Sequence, residues 1–127
     1  LSLSQFMRAS EVRTSLYNRL CSLLAEVDML ALPVAQVWPF PIEQRWPEAI
    51  NGRAMSTYHR WMEVVVPVSL LGLPSVAVPA GFGDEGLPIG VQMFGAHGRD
   101  RALLALAQQY HEATDWPNRR PPPGPNP

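Results

Sequence analysis

Two short apolar runs separated by a glycine-rich connector form the clearest pattern along the chain. The first run, Ser75–Pro79, ends on a proline after three apolar residues and is too short for a helix. The second run, Leu87–Phe94, alternates larger apolar residues with glycine and glutamine, which is typical of a strand. The connector Gly81–Gly86 contains three glycines, which enter positive-φ turns at little steric cost. The pattern predicts two neighbouring antiparallel strands in a sheet that helices cover on both faces.

Apolar residues at helical spacing predict a long helix near each end of the chain. The first covers about residues 4–26, and its apolar stripe should pack on a sheet or another helix. The second covers residues 100–114, where the Asp100 side chain should accept hydrogen bonds from the first-turn N–H groups. Between them, the apolar run Asp28–Pro33 predicts a third, short buried strand. Together these elements predict an α/β fold with a mixed β-sheet flanked by helices.

The middle of the chain gives a more ambiguous pattern. Residues 35–53 show no period and combine aromatic rings with prolines, so regular structure is not expected there. Such a loop either forms a lid or binding wall, or only caps the core with its rings. Apolar spacing then favours a helix over residues 55–63, followed by an extended link. A proline and a glycine bound a second short helix at residues 67–71.

Composition and charge indicate one globular domain with no nucleic-acid or membrane partner. The 127 residues are 46% hydrophobic and carry a net charge of -1, so no basic patch is indicated. No apolar run is long enough to suggest a membrane span. Cys21 is the only cysteine, so an internal disulfide is impossible and a reducing, cytoplasmic location is expected. We expect the Cys21 thiol to be a small buried hydrophobe near the apolar stripe of the first helix.

The two ends of the chain carry separate signals. The sequence opens on Leu1 rather than methionine, which suggests a piece of a longer protein. Six of the fourteen prolines follow Trp116, and this composition predicts a flexible tail over residues 117–127. The predicted folded part is therefore residues 1–116.

Three ordered motifs run through the region of the two strands. They read Pro67-Val-Ser-Leu-Leu-Gly-Leu-Pro74, Val76-Ala-Val-Pro79-Ala-Gly81 and Gly86-Leu-Pro88-Ile-Gly90-Val-Gln92. In this order they resemble the C-terminal region of the amidase-signature hydrolases, and the resemblance covers most of residues 28–113. Two positions depart from the family pattern, because Ser69 stands where asparagine is usual and Val34 where threonine is usual.

The resemblance implies amide-bond hydrolysis with no cofactor and no metal. Enzymes of this family use a serine nucleophile, a second serine that relays a proton, a lysine base and a glycine-rich oxyanion loop. This sequence contains no lysine, no Ser-Ser pair and no Gly-Gly-Ser segment, and in the family those motifs precede the region matched here. The resemblance therefore implies the C-terminal part of an amidase, which completes the fold and part of the substrate pocket while the catalytic residues lie upstream.

The partners that the resemblance implies are a small-molecule amide and the upstream part of the same enzyme. A second copy of the chain is a further expected partner, because the missing upstream part should leave apolar faces uncovered. The resemblance leaves open which amide is the substrate. It also leaves open whether the parent is a free amidase or one component of an amidotransferase that acts on glutamine.

Four residues are candidates for contact with the substrate. Trp38 and Phe40 follow a strand that by resemblance points at the active site, and their rings would narrow the acyl pocket. Gln92 either ties its strand to neighbouring backbone or contacts the substrate, because a buried amide needs hydrogen-bond partners. Ser69 either bonds at the start of its helix or contacts the pocket. The rival hypothesis is a non-catalytic interaction domain that uses the aromatic loop 38–46 as its partner surface.

Overall fold

The computed structural model of the chain describes residues 1–119 and shows helices packed against a small sheet. The helices are α1 (Leu3–Leu23), a 3₁₀ helix (Tyr58–Met62), α2 (Val66–Leu71), α3 (Asp100–Thr114) and α4 (Trp116–Arg119). The strands are β1 (Leu30–Pro33), β2 (Ala49–Ile50), β3 (Arg53–Ala54), β4 (Ser75–Phe82) and β5 (Pro88–Phe94). The predicted α/β fold class is confirmed. The predicted tail is described only as far as Arg119, within α4, and its remaining residues lie outside the described part of the chain.

The three main strands lie in the order β1-β5-β4. Leu30 and Ser75 both pair with Phe94, on opposite sides of β5, and both ladders are antiparallel. The sheet is therefore antiparallel in its described strands, whereas a mixed sheet was expected. The short connector makes β4 and β5 antiparallel, as predicted. The difference from a mixed sheet lies in β1, which also runs antiparallel to β5.

Strand β4 is longer than predicted. The predicted strand ended at Pro79, but pairing continues past a bulge between Pro79 and Gly81 and ends with Phe82 opposite Pro88. At the bulge Gly81 has a φ of 139°, which glycine tolerates because it has no Cβ. The connector between the strands is correspondingly shorter than the predicted Gly81–Gly86 segment.

Helices cover both faces of the sheet, as predicted. On one face α3 packs on β4 and β5, and the buried residues of this layer are Val78, Met93, Leu103 and Ala107. On the other face lie α1 and α2, and the buried residues of that layer are Leu24, Val68, Leu71, Leu73 and Phe94. Successive side chains of a strand point to opposite faces, so Met93 and Phe94 of β5 join different layers.

Helix α1 packs only through its C-terminal half. The residues that contact the core are Leu16, Tyr17 and Leu20. The apolar residues of its first turns stay exposed, namely Leu3, Phe6 and Met7. Cys21 is exposed as well, which corrects the expectation of a buried thiol, because the packed stripe is narrower than the apolar periodicity of the helix. Neither α1 nor any other helix within residues 1–119 has the length and apolar character needed to cross a membrane.

Two predictions about helices are wrong in detail. The helix expected over residues 55–63 is only the 3₁₀ helix Tyr58–Met62, and Thr57 before it is extended, with a φ of -142°. Residues 56–59 and Trp61 have only intermediate helix propensity, so this segment supports no longer helix. The Asp100 side chain does not cap α3, since Arg99 occupies the N-cap position. The Asp100 carboxylate instead stabilises the first turn through its charge.

Residues 35–53 are largely irregular, as predicted. They also include part of a small β-hairpin, which was not predicted. Strands β2 and β3 pair around the dipeptide Asn51-Gly52. Both turn residues have positive φ, at 48° and 74°, as type I′ turns require. The hairpin marks the end of the aromatic loop.

Two glutamine side chains hold the segment before α2 against the sheet. Gln92 is only 7% exposed, and its Nε2 donates to the carbonyl oxygens of Pro33 and Val64, both at 3.3 Å. The Val64 N–H donates to Gln36 Oε1 at 2.9 Å. Both backbone polar groups of Val64 are thus bonded by side chains from β5 and from the irregular loop. These bonds fix the positions of three separate segments relative to one another.

Gly86 should not tolerate a β-branched side chain. Its N–H donates to the Gly83 carbonyl at 2.8 Å and its φ is 76°. The Gly86→Val variant should therefore lose about 1–3 kcal/mol of unfolding free energy. The exposed Asp84→Asn and Glu85→Gln variants of the same turn should change it by less than about 0.5 kcal/mol. Urea denaturation of the three variants measures this difference, and a valine variant as stable as the two controls would contradict the prediction.

The buried Gln92 amide should matter more to stability than an exposed glutamine does. Gln92→Leu leaves two carbonyl oxygens without their donor, so we expect a loss of about 1–3 kcal/mol. Gln109 is exposed on α3, and Gln109→Leu is the matched control, with an expected change below about 0.5 kcal/mol. Urea midpoints at constant m value compare the two. Equal midpoints would show that the Gln92 bonds contribute nothing.

Candidate functional site

An open apolar cleft lies beside the end of β1, between the irregular loop and strands β4 and β5. Its volume is about 600 Å³, which is within the range of small-molecule sites. The loop contributes Trp38 and Phe40, the 3₁₀ helix contributes Trp61, and the strands contribute Pro79 and Ile89. Every described residue that lines the cleft is apolar or aromatic, and none is ionisable.

Trp38 separates this cleft from a smaller pocket with an acidic rim. The Trp38 ring is 54% exposed and lies over the β4–β5 connector. A Cβ atom on Gly83 would lie 3.0 Å from two atoms of the Trp38 ring, so any other residue there would have to push the ring slightly away. The smaller pocket, of about 410 Å³, has Trp38 on one side and Asp84 and Glu85 on the other. Trp38 is therefore a wall that both cavities share.

Four aromatic rings form a row in which each ring contacts the next edge to face, and Phe40 is at one end of the row. The ring centroids of Phe40 and Trp61 are 5.6 Å apart. Tyr58 lies 6.0 Å from Trp61 and 5.9 Å from Trp46. The Arg45 guanidinium covers the Trp46 ring at 4.9 Å. Edge-to-face pairs stabilise beyond the area that they bury, so these contacts hold the aromatic loop against the 3₁₀ helix.

Trp61 carries a buried donor that has no partner. Its Nε1 is sealed from solvent and forms no hydrogen bond with any residue in the described part of the chain. An unpaired buried N–H costs about 1–3 kcal/mol, and such groups are rare in folded proteins. The sequence analysis placed Trp61 only within the helix predicted over residues 55–63 and did not identify it as a cleft residue. Apolar spacing within a segment does not reveal which loop packs on its side chains.

The structure does not place Ser69 or Gln92 in the cleft lining. Ser69 is exposed on α2. Gln92 instead holds the backbone of Pro33 and Val64. Trp38 and Phe40 line the cleft, Gln92 supports the segments beside it, and Ser69 lies apart. Contact of any of these four candidates with a substrate stays a prediction.

The described residues bring together no charged cluster that could perform catalysis in the cleft. Within residues 1–119 there is no group of three or more His, Cys, Asp or Glu side chains that could hold a metal ion. A side-chain hydrogen bond with Cys21 raises the pKa of the Tyr17 hydroxyl, but Tyr17 belongs to α1 and does not line the cleft. The cleft therefore offers shape and apolar contact.

Comparison with known proteins identifies relatives over nearly the whole chain. The family model described as Amidase matches residues 2–104. A glutamyl-tRNA(Gln) amidotransferase subunit from Chloroflexus aggregans is 34% identical over 116 residues, which are 91% of this chain and 22% of that protein. Its counterpart from Gloeothece citriformis is 33% identical over 117 residues, covering 92% of this chain and 23% of that protein. The chain thus spans less than a quarter of the length of these relatives.

Solved structures share the fold. A bacterial aryl acylamidase of the amidase signature family superposes with a TM-score of 0.83 at 24% identity, covering 93% of this chain and 24% of that chain. The corresponding glutamyl-tRNA(Gln) amidotransferase subunit from Thermotoga maritima superposes with a TM-score of 0.70 at 26% identity, covering 86% of this chain and 22% of that chain. With the family model matching most of the sequence, these likenesses show that the chain belongs to the amidase-signature family.

Proposed function

We propose that this chain is the C-terminal part of an amidase and forms part of the wall that holds the apolar group of a carboxylic amide. The observation that carries this proposal is the cleft of about 600 Å³, whose described lining has no ionisable side chain, in a member of the amidase-signature family. Such a wall binds the aryl or alkyl part of a neutral amide by removing its apolar surface from water.

The chemical step is assigned to the upstream part of the enzyme. Hydrolysis of an amide to an acid and ammonia or an amine needs a nucleophile, a base and donors that stabilise the oxyanion. The family resemblance supplies a Ser-Ser-Lys mechanism for these roles, and this sequence has no lysine. The role of this piece is to complete the fold and shape the pocket. We also propose a cytoplasmic location, which the single cysteine supports.

The exposed apolar turns of α1 are the proposed contact with the rest of the enzyme. Leu3 and Phe6 are 76% and 62% exposed, and clustered apolar surface of this kind marks interaction sites. In the chain alone, the same surface would support association of two copies. The rival hypothesis of an interaction domain has less support, because Phe40 and Trp46 of the loop pack on the 3₁₀ helix.

The wall should set the preference for the acyl group. We would graft residues 1–116 in place of the superposed stretch of the bacterial aryl acylamidase and assay the p-nitroanilides of acetate and benzoate. Replacing Trp38 and Phe40 with alanine enlarges the cleft, so kcat/KM for the benzoyl over the acetyl substrate should rise about tenfold.

Ile42→Ala is the matched control for this experiment, because Ile42 lies on the same loop and is 94% exposed. It should leave the substrate ratio unchanged. If the double variant is active and its ratio of kcat/KM for the benzoyl over the acetyl substrate is unchanged, the proposed role of Trp38 and Phe40 in the pocket wall is rejected. A folded chimera that hydrolyses neither anilide would reject the proposed role in completing the enzyme.

The 127-residue chain alone should hydrolyse no amide. A covalent mechanism without its nucleophile and base loses most of its rate enhancement, even where binding groups remain. The measurement is an assay of the purified chain against aryl and aliphatic amides, with its intact mass checked against 14.1 kDa. Turnover above background by a preparation of that mass would overturn the assignment of catalysis to the upstream part.

A further inference from the structure

The apolar cleft ends where β5 lacks a side chain. Its lining follows β5 from Pro88 to Gly90 and does not include Gln92, which lies two residues further along the same strand. Alternate residues of a strand point to the same face, so Gln92 continues the face on which a Gly90 side chain would lie. The Gln92 amide is buried and bonded to backbone carbonyl groups. The glycine therefore leaves a space next to a filled position, and that space forms one end of the cleft.

Val34 lies beside the space that a side chain on Gly90 would take. A Cβ atom on Gly90 would lie 3.2 and 3.3 Å from the two methyl carbons of Val34, which is closer than ordinary van der Waals contact. The Val34 N–H donates to the Gly90 carbonyl oxygen at 3.2 Å, so the sheet fixes the backbone of Val34. Branching at Cβ restricts the rotamers of the valine side chain. Val34, which lines the cleft, therefore forms a rigid apolar surface at this end.

Val34 is held in a different way from the two rings of the cleft lining. Trp38 and Phe40 lie in the irregular loop, outside any helix or strand. Val34 directly follows β1, is half-buried and is bonded to β5 through its backbone. A ring on a loop can adapt to the molecule that binds, whereas a branched side chain anchored to a sheet cannot easily retreat. A ligand that reaches Val34 therefore has to fit the space in front of it.

We propose that Val34 is a specificity-determining residue, whose methyl groups limit the length of the acyl chain that the cleft accepts. The chain would lie along β5, with the lining residues Pro88 and Ile89 beside it and its far end against Val34. This inference rests on the proposed function and deepens it, because it selects carboxylic amides by the length of their apolar group. Trp38 and Phe40 have the separate role of a wall along the side of that group.

The first test detects contact with Val34 in the 127-residue chain. The valine methyl groups are labelled with ¹³C, and the Val34 signals are identified by their absence from the Val34→Ala and Val34→Ile variants. The probes are butanamide, hexanamide and octanamide, which differ only in the length of a straight chain. We expect the longer amides to shift the Val34 methyl signals. The signals of Val66, which is 42% exposed and does not line the cleft, should stay fixed.

The second test measures the preferred chain length of the grafted enzyme with p-nitroanilides of straight-chain acids, from acetate to octanoate. Each methylene that the cleft buries should raise kcat/KM about fourfold, until the chain reaches Val34. Val34→Ala removes two methyl groups, so the rise should continue for about one or two further methylenes. Val34→Ile adds one carbon, so the rise should end about one methylene earlier. A general loss of stability would not shift the preferred length in opposite directions.

Val66→Ala and Val66→Ile are the matched controls, because they make the same changes at the exposed first residue of α2. They should leave the preferred chain length unchanged.

The outcomes separate this inference from the proposed function. Equal chain-length profiles for the Val34 and Val66 variants would overturn the role of Val34, and so would Val34 methyl signals that no amide shifts. In both cases the Trp38 and Phe40 double variant still decides on the wall. A grafted enzyme that hydrolyses no anilide would reject the proposed function, and this inference with it.

Discussion

The buried amide of Gln92 is the interaction on which the arrangement around the cleft depends. A primary amide in a dry interior must find partners, and Gln92 Nε2 finds two carbonyl oxygens from segments distant in sequence, those of Pro33 and Val64. Gln36 completes the arrangement by accepting from the Val64 N–H. The end of β1, the centre of β5 and the segment before α2 are therefore held at one point. The aromatic loop follows β1 directly along the chain, and the 3₁₀ helix directly precedes the bonded residue Val64.

The parts of the fold that were predicted correctly are those that local chemistry decides. Helix α3 has the predicted bounds because its apolar period is unbroken from Asp100 to Thr114. The antiparallel β4–β5 pair was predicted because glycines mark its connector, and Gly86 has the expected positive φ. The bulge at Gly81 was not found, because a strand that continues through Pro79 depends on its partner strand rather than on its own sequence. The helix over residues 55–63 was predicted too long, because the apolar spacing fits a helix although several of its residues have only intermediate helix propensity.

The candidate site was only partly predictable. Trp38 and Phe40 stand out from sequence because rings and prolines without a period indicate a loop that carries contacts. Trp61 does not stand out from sequence, because an apolar residue in a predicted helix is ordinarily a core residue. Its unpaired indole N–H can be recognised only from the folded structure, in which Phe40 of the loop packs against the Trp61 ring. Gln92 was recognised as polar and buried, but the sequence could not decide between a backbone tie and a substrate contact. That choice depends on which carbonyl groups the topology brings within reach.

The absence of charge from the described cleft lining has a consequence for turnover if the proposed function holds. Amide hydrolysis turns a neutral substrate into a carboxylate, and a carboxylate in an apolar environment without a cation is disfavoured. The wall would then bind the substrate better than the acid product, because their apolar parts are identical and only the charge differs. Release of the product would be favoured without a moving part. An arginine or lysine introduced into the lining would stabilise the carboxylate and so retain the product. On this argument, the neutrality of the wall matters as much as its shape.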